Sequence, residues 1–437
     1  MSDVERFLHD EQRRRQLAYR ARRAEPTVVL RLTPRLALAI GLIVAASAGA
    51  IAIASTGSSH HTVRTRVAQE PPMPRRSAIP TPGLAAVVHT TLLQRLTPAQ
   101  LAGQRIIYSY AGPRPPASLL RKIRSGEAAG VIFFTPNVPS RTALRAAVGE
   151  FERANRASPV HAPLLLMTDQ EGGLVRRLSG PPEDSEKQIG ASTAALSLAR
   201  AAGHAAALNL TPLGLNVNLA PVLDVFRETG DFIDQYERSY SRNPARVGEL
   251  GAAFISAQQA AGVAATGKHF PGLGLASRTE NTDERPVVLG QSLHVIRTVD
   301  EAPYRYAIAA HVRLIMLSWA VYSALDPTLP AGLSPTVIEG ELRRRLGFRG
   351  ITITDSLEAG ALRAFGGSAQ RALLATRAGE DLILCSARRP EANTPAIGAA
   401  ALSAIASGIA AREISRASAE SIAAAIVSLR ELGGGPG

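Results

Sequence analysis

Pro163-Leu164-Leu165-Leu166-Met167-Thr168-Asp169 (PLLLMTD) and Gly350-Ile351-Thr352-Ile353-Thr354-Asp355 (GITITD) decide the reading of this chain. Each is a short, almost uninterrupted apolar run that ends on a carboxylate. A strand with one wet face alternates apolar and polar residues, whereas a parallel strand covered on both faces stays apolar throughout. The same texture recurs at Arg105–Tyr110, Gly130–Phe134, Leu215–Val225, Ala264–Phe270, Val312–Ser318 and Asp381–Cys385. Between these runs lie stretches with helical spacing, such as Ser140–Ala154 and Arg246–Ala261. Strand and helix alternating eight times over about 350 residues predicts an α/β fold, specifically a (β/α)8 barrel with insertions. A doubly wound sheet is the alternative, but no Gly-rich phosphate loop follows the first strand. No internal repeat is visible.

Working outward, the 437 residues divide into four segments. Residues 1–35 form a basic arm containing Arg13, Arg14, Arg15, Arg20, Arg22 and Arg23. Leu36–Ser55 carries no charge and has the length of a bilayer span, about 20 residues. Arginine before such a segment favours a cytoplasmic N-terminus, near anionic headgroups. The expectation is a single-pass transmembrane anchor with everything downstream outside the membrane; secretion after signal cleavage is the alternative. No cysteine ends the run, which excludes a lipoprotein anchor. Residues 56–88, rich in Ser, Thr, Pro and Arg, read as a linker whose His60 and His61 are solvated. The barrel is expected over residues 89–435, with an Ala-rich helical tail after Ala387.

Composition narrows the function. Hydrophobic residues make up 46% of the chain and charged residues 19%, which excludes wholesale disorder. The single cysteine, Cys385, excludes an internal disulfide framework or a cysteine-cluster zinc site and reads as a small buried hydrophobe. The formal charge is 49 basic minus 36 acidic residues, or +13. Nearly all the cations are arginine, with lysine only at 122, 187 and 268, so the excess reads as composition and not as a nucleic-acid face. No cofactor or metal is called for, and a monomer is expected.

In a parallel barrel, polar residues just beyond the strands line the mouth where chemistry occurs. That rule selects Asp169 and Glu171 at the third run, Asp224 at the fourth, and Lys268 and His269 at the fifth. Trp319, Asp355 and Asp381 follow at the last three. Glu171 and Asp381 read equally well as helix caps. Lys268 is informative because this chain otherwise uses arginine; a site needing a compact ammonium does not accept a planar guanidinium. Trp319, the only tryptophan, reads equally as a stacking wall for a sugar or as a packed side chain.

Lys268-His269-Phe270-Pro271-Gly272-Leu273-Gly274 resembles a signature of glycoside hydrolase family 3, in particular its single-barrel β-N-acetylglucosaminidases (β-N-acetylhexosaminidases). Asp169-Gln170-Glu171-Gly172-Gly173 with Arg177 is similar to that family too. So are Asn218–Val225, Arg238-Ser239-Tyr240, Leu333-Ser334-Pro335, Leu346–Gly350 and Ile353–Leu357, which fall in the family's order within residues 98–386. The resemblance implies a retaining exo-acting hydrolase of terminal GlcNAc from peptidoglycan-derived or related β-glycosides. Asp355 matches the nucleophile, and Asp169, Arg177, Arg238, Lys268 and His269 match residues that bind the sugar. Cations near Asp355 are expected to keep it ionised.

The chain also departs from that pattern. Where the family carries an Asp-Ser-His triplet whose histidine is the acid/base, this chain has Thr279-Glu280-Asn281, followed by Thr282 and Asp283. Leu273 replaces another family histidine, and Trp319 stands where a Ser-His pair often closes the sixth strand. Similar Gly-Leu-Gly and Asn-Thr-Asp segments occur in secreted actinobacterial members. Asp283 or Glu280 on a mobile loop is the candidate acid/base. The other readings are catalysis with weak acid assistance and a barrel that only binds cell-wall fragments. Transfer or phosphorolysis, and a different sugar, also stay open.

Overall fold

The computed structural model describes residues 93–386 and 394–432. The basic arm, the Leu36–Ser55 segment and the linker lie outside the described residues. Among the described residues no helix is long and apolar enough to cross a membrane.

Twelve strands occur among the described residues. In chain order they are β1 (Ile106–Tyr108), β2 (Gly130–Phe133), β3 (Leu165–Thr168), β4 (Gln170–Gly172), β5 (Val175–Arg176) and β6 (Val217–Asn218). They continue with β7 (Ala264–Phe270), β8 (Val288–Leu289), β9 (Leu314–Leu317), β10 (Val321–Tyr322), β11 (Ile351–Thr354) and β12 (Ile383–Cys385). One sheet runs β11-β9-β7-β6-β3-β2-β1-β12, every pairing parallel. Its two ends meet through a parallel bridge between Ile353 and Leu382. The Thr354 amide donates to the Leu382 carbonyl at 3.0 Å and the Leu382 amide to the Thr352 carbonyl at 2.9 Å, so the sheet curls into a barrel. All eight apolar runs supply one strand each. The hairpin β4–β5 and the pair β8–β10 are insertions at loops.

Helices cover the outside between successive strands. Ser140 is the N-cap of helix Arg141–Asn155, its hydroxyl accepting the Ala143 amide at 3.1 Å, and Asn243 caps Pro244–Ala260 in the same way. The expected helices at 140–154 and 246–261 are therefore present, displaced by a residue or two by their caps. The Ala-rich tail forms Pro395–Ala410 and Arg416–Leu432.

Side chains alternate along each strand. Ile107, Ile132, Leu165, Met167, Val217, Leu314, Met316, Ile351, Ile353 and Leu384 share one cluster, the filled barrel interior. Their neighbours Ile106, Tyr108, Val131 and Phe133 pack against the outer helices. Ile422, Ile426 and Leu429 of the last helix join the interior cluster at helical spacing. That helix also packs on Pro98–Gly103, which leads into β1, so it closes the end where the strands begin. The opposite end carries the residues with chemical potential.

Candidate active site

Strand parity selects the side chains that point into the mouth. Asp169 follows inward Leu165 and Met167 by steps of two, and Asp355 follows Ile351 and Ile353 in the same way. Asp169 leads into β4–β5, whose turn needs Gly172 (φ 121°) and Gly173 (φ 52°). A Cβ at Gly172 would come within 2.4 Å of the Asp184 carbonyl oxygen. The hairpin folds the chain back so that the Arg177 amide donates to the Asp169 carbonyl at 3.2 Å. Asn218 on β6 fixes its base, accepting the Gln170 amide at 2.9 Å and donating to the Gln170 carbonyl at 3.0 Å.

A buried ionic cluster results. The Lys268 ammonium, from the end of β7, donates to Asp169 Oδ1 at 2.8 Å and lies 2.7 Å from Glu171 Oε1. Arg238 grips Glu171 with both arms of its guanidinium, Nε to Oε2 and Nη2 to Oε1, each at 2.8 Å. Arg177 Nη2 donates to Asp169 Oδ2 at 3.3 Å. Burial alone would raise both carboxyls; the surrounding cations outweigh it. They hold Asp169 far below the usual carboxylate range and Glu171 at about 2. The carboxylates likewise outweigh the effect of burial on Arg238 and Lys268, whose pKa values rise. Asp169, Glu171, Arg238 and Lys268 are thus kept charged, and the ammonium is fixed between two acceptors.

His269 is held by Asp224, which is fully buried. Asp224 Oδ2 lies 2.8 Å from His269 Nδ1, while Oδ1 accepts the amides of His269 at 3.3 Å and Leu273 at 2.7 Å. The carboxylate therefore sets both the imidazole orientation and the backbone that follows β7.

Asp355 differs. It is half-buried, and its Oδ1 accepts the Ser356 amide at 2.6 Å. The cations expected beside it are not paired with it: among the described residues its carboxylate enters no ion pair. Trp319 is fully buried and is not an open stacking wall. Its Nε1–H donates to the Ser356 carbonyl at 2.9 Å, and a Cβ on Gly332 would come within 2.6 Å of its ring. Asp381 is a correction of another kind. It precedes β12 and so stands at the far end of the barrel, where Arg343 at 2.6 Å and the Thr352 amide at 2.9 Å bind it. An acid before an apolar run marks the opposite rim from an acid after it.

The loop after β7, expected to be mobile, is strapped down. The Gly360 amide donates to the Asp283 carbonyl at 2.8 Å and the Ala361 amide to the Thr282 carbonyl at 2.9 Å, tying the loop to the segment just beyond Asp355. Glu280 uses a carboxylate oxygen to accept the Ser277 amide at 2.7 Å, closing its own turn. Asp283 is half-buried. Cys385 is buried, and burial pushes its thiol pKa up. Among the described residues no group of three or more His, Cys, Asp or Glu side chains is arranged to hold a metal.

Sequence reasoning gave Glu171 no firm role and passed over Ser356. The position of Glu171 beside the β4–β5 turn is equally that of a cap, and only the folded hairpin brings it against Lys268 and Arg238.

A parallel barrel carrying a half-buried carboxylate and a fixed ammonium–carboxylate cluster at the carboxyl ends of its strands has the layout of a barrel enzyme's active site. A model of the glycosyl hydrolase family 3 N-terminal domain matches residues 100–427, and the chain belongs to this family. It is 48% identical over 289 residues to a secreted glycosyl hydrolase of Arthroderma benhamiae, covering 66% of this chain and 81% of that protein. It is 34% identical to a beta-hexosaminidase of Nitrosomonas eutropha, covering 58% of this chain and 72% of that one. Among solved structures it is similar to a family 3 beta-N-acetylglucosaminidase from Paenibacillus sp. str. FPU-7, with 32% identity and a TM-score of 0.71. That match covers 78% of this chain and 64% of the other.

Proposed function

We propose that this glycoside hydrolase is a retaining, exo-acting β-N-acetylglucosaminidase that removes terminal GlcNAc from cell-wall-derived or related β-glycosides. The observation that carries the reading is the buried cluster of Asp169, Glu171, Arg177, Arg238 and Lys268 on the rim that also bears Asp355. Ions held at 2.7–3.3 Å before substrate arrives are preorganised to orient a sugar by its hydroxyls and acetamido group. His269, oriented by Asp224, offers a further polar contact.

In this mechanism Asp355 attacks the anomeric carbon. The C1–O bond to the aglycone breaks, and a carboxyl group donates its proton to the departing oxygen. The resulting glycosyl ester on Asp355 is hydrolysed when the same group, now a base, takes a proton from water, so configuration is retained. We assign that role to Asp283, half-buried on the loop that is tied to the segment just beyond Asp355. The basic arm at 1–35, the apolar Leu36–Ser55 span and the 56–88 linker support an anchored barrel over residues 89–435, working outside the cytoplasm. The secreted fungal relative is compatible with that location.

Hydrolysis of an aryl β-GlcNAc and of a GlcNAc disaccharide by the full chain tests the reading. Asp355→Asn should abolish turnover of both. Asp283→Asn should slow the disaccharide by roughly 10²-fold or more, the scale of a lost general acid, and the aryl substrate much less. A wild-type chain that binds GlcNAc fragments but cleaves no β-linked sugar would instead make the barrel a binding protein.

A further inference from the structure

The cluster that would bind sugar is locked by ion pairs, yet among the described residues Asp355 enters none. Its carboxylate accepts one described hydrogen bond, from the Ser356 amide at 2.6 Å. The contacts that fix Ser356 therefore fix the carboxylate, and Ser356 is held from both neighbouring strands. Its carbonyl accepts Trp319 Nε1–H at 2.9 Å from beyond β9. Its hydroxyl donates to the Ser386 carbonyl at 2.7 Å beyond β12, and the Ser386 hydroxyl returns to it at 3.1 Å. The next amides, Leu357 and Glu358, pair with Leu384 and Ser386 at 3.0 and 3.2 Å.

Trp319 cannot easily swing out of this arrangement. The ring is fully buried, and a Cβ on Gly332 would come within 2.6 Å of its Cζ3, so the backbone of residues 331–333 forms one wall of its slot. A buried indole N–H needs an acceptor, and here that acceptor is the carbonyl of the residue after Asp355. We propose that Trp319 is a positioning residue: through the Ser356 carbonyl it sets the aim of the Asp355 carboxylate, in place of a charged partner. The inference rests on Asp355 being the nucleophile. It adds that this nucleophile is steadied, through Ser356, by a neutral donor just beyond the adjacent strand β9.

Trp319→Phe keeps most of the packed volume and removes the N–H, and Ser356→Ala cuts only the tie to Ser386. The full chain is assayed for kcat and KM on an aryl β-GlcNAc, and for covalent labelling by a slow fluorosugar followed by intact mass. Trp319→Phe should lower kcat about tenfold and slow labelling equally, with KM within about twofold. The double variant should fall short of the product of the single effects, because both bonds steady one residue. Trp319 is also the only tryptophan, so its emission in the wild type should change when the site is labelled. Unchanged kcat and labelling in a Trp319→Phe chain that has merely lost thermal stability would overturn the proposal and leave Asp355 in its role. Absence of labelling at Asp355 in the wild type would remove the nucleophile assignment and this inference with it.

Discussion

Two sets of buried charges, Glu171 with Arg238 at the mouth of the barrel and Glu380 with Arg430 at its closed end, are treated in opposite ways. At the mouth, Glu171 and Arg238 are almost out of solvent, yet each meets its counter-charge at 2.8 Å. Glu171 is held at about 2 and the Arg238 pKa is driven up. At the closed end, Glu380 is wholly buried and enters no ion pair among the described residues; burial drives its pKa well up, against the weaker pull of the Thr352 hydroxyl and of Arg343 and Arg105 nearby. Arg430, on the helix that seals that end, has Nε and Nη2 without described partners and falls to about 9. Burial penalises charge equally at both ends, and partner geometry decides the result. The lesson is that low dielectric alone makes no active site; preorganised pairs within it do.

Lys268→Met is the most severe way to break this contrast. Removing the ammonium leaves Asp169 and Glu171 buried on the same empty volume. Loss of one partner from a buried pair costs about 3–5 kcal/mol, so the midpoint of chemical unfolding at pH 7 should fall sharply, and activity with it. Glu380→Gln, at the other end, should stay within about 1 kcal/mol of wild type because no ion pair is lost. Similar losses from both variants would show that the mouth cluster is not special.

Acid sharpens the comparison with a somewhat smaller effect. A carboxyl whose folded pKa is depressed adds stability above its unfolded value, and that stability drains away as pH falls towards the folded value. For Glu171 the window runs from 4.5 down to about 2 and is worth on the order of 3 kcal/mol. Unfolding free energy measured against pH should decline through that window in the wild type and be flatter there in Glu171→Gln. Glu380, with its pKa raised, has the reverse sign: its contribution is complete in acid and lost as pH rises through the folded value. Glu380→Gln should therefore leave the acid limb intact.

Much of this contrast was legible in the sequence, because parallel strands announce themselves by unbroken apolarity and a barrel mouth by the polar residues at their carboxyl ends. Each of the eight apolar runs holds one barrel strand. The fourth, Leu215–Val225, supplies the two residues of β6 and then an isolated bridge from Val222 to Lys268, just past Pro221, which has no amide to offer. Asp169, Arg177, Arg238 and Lys268 do converge. Tertiary pairing was not legible: that Glu171 completes the cluster depends on a two-glycine turn, and that Asp355 stands apart from the cations depends on side-chain reach. Asp381 was misplaced although the signal was present, since it precedes its apolar run. Trp319 could be resolved only by the slot that Gly332 leaves for it.

The smallest expected effect lies at Arg430. Its guanidinium has been taken out of water, and two of its nitrogens have no described partner in exchange. Burying polar atoms without hydrogen bonds costs free energy that an apolar side chain of similar length avoids. Arg430→Met should therefore be neutral or stabilising by about 1 kcal/mol in chemical unfolding, with hydrolysis unchanged, because the opposite end carries the chemistry. The same substitution at Arg238 should be ruinous, since it strips Glu171 of a two-armed partner. If Arg430→Met were as damaging as Arg238→Met, Arg430 would have a counter-charge of its own and the contrast between the two arginines would disappear.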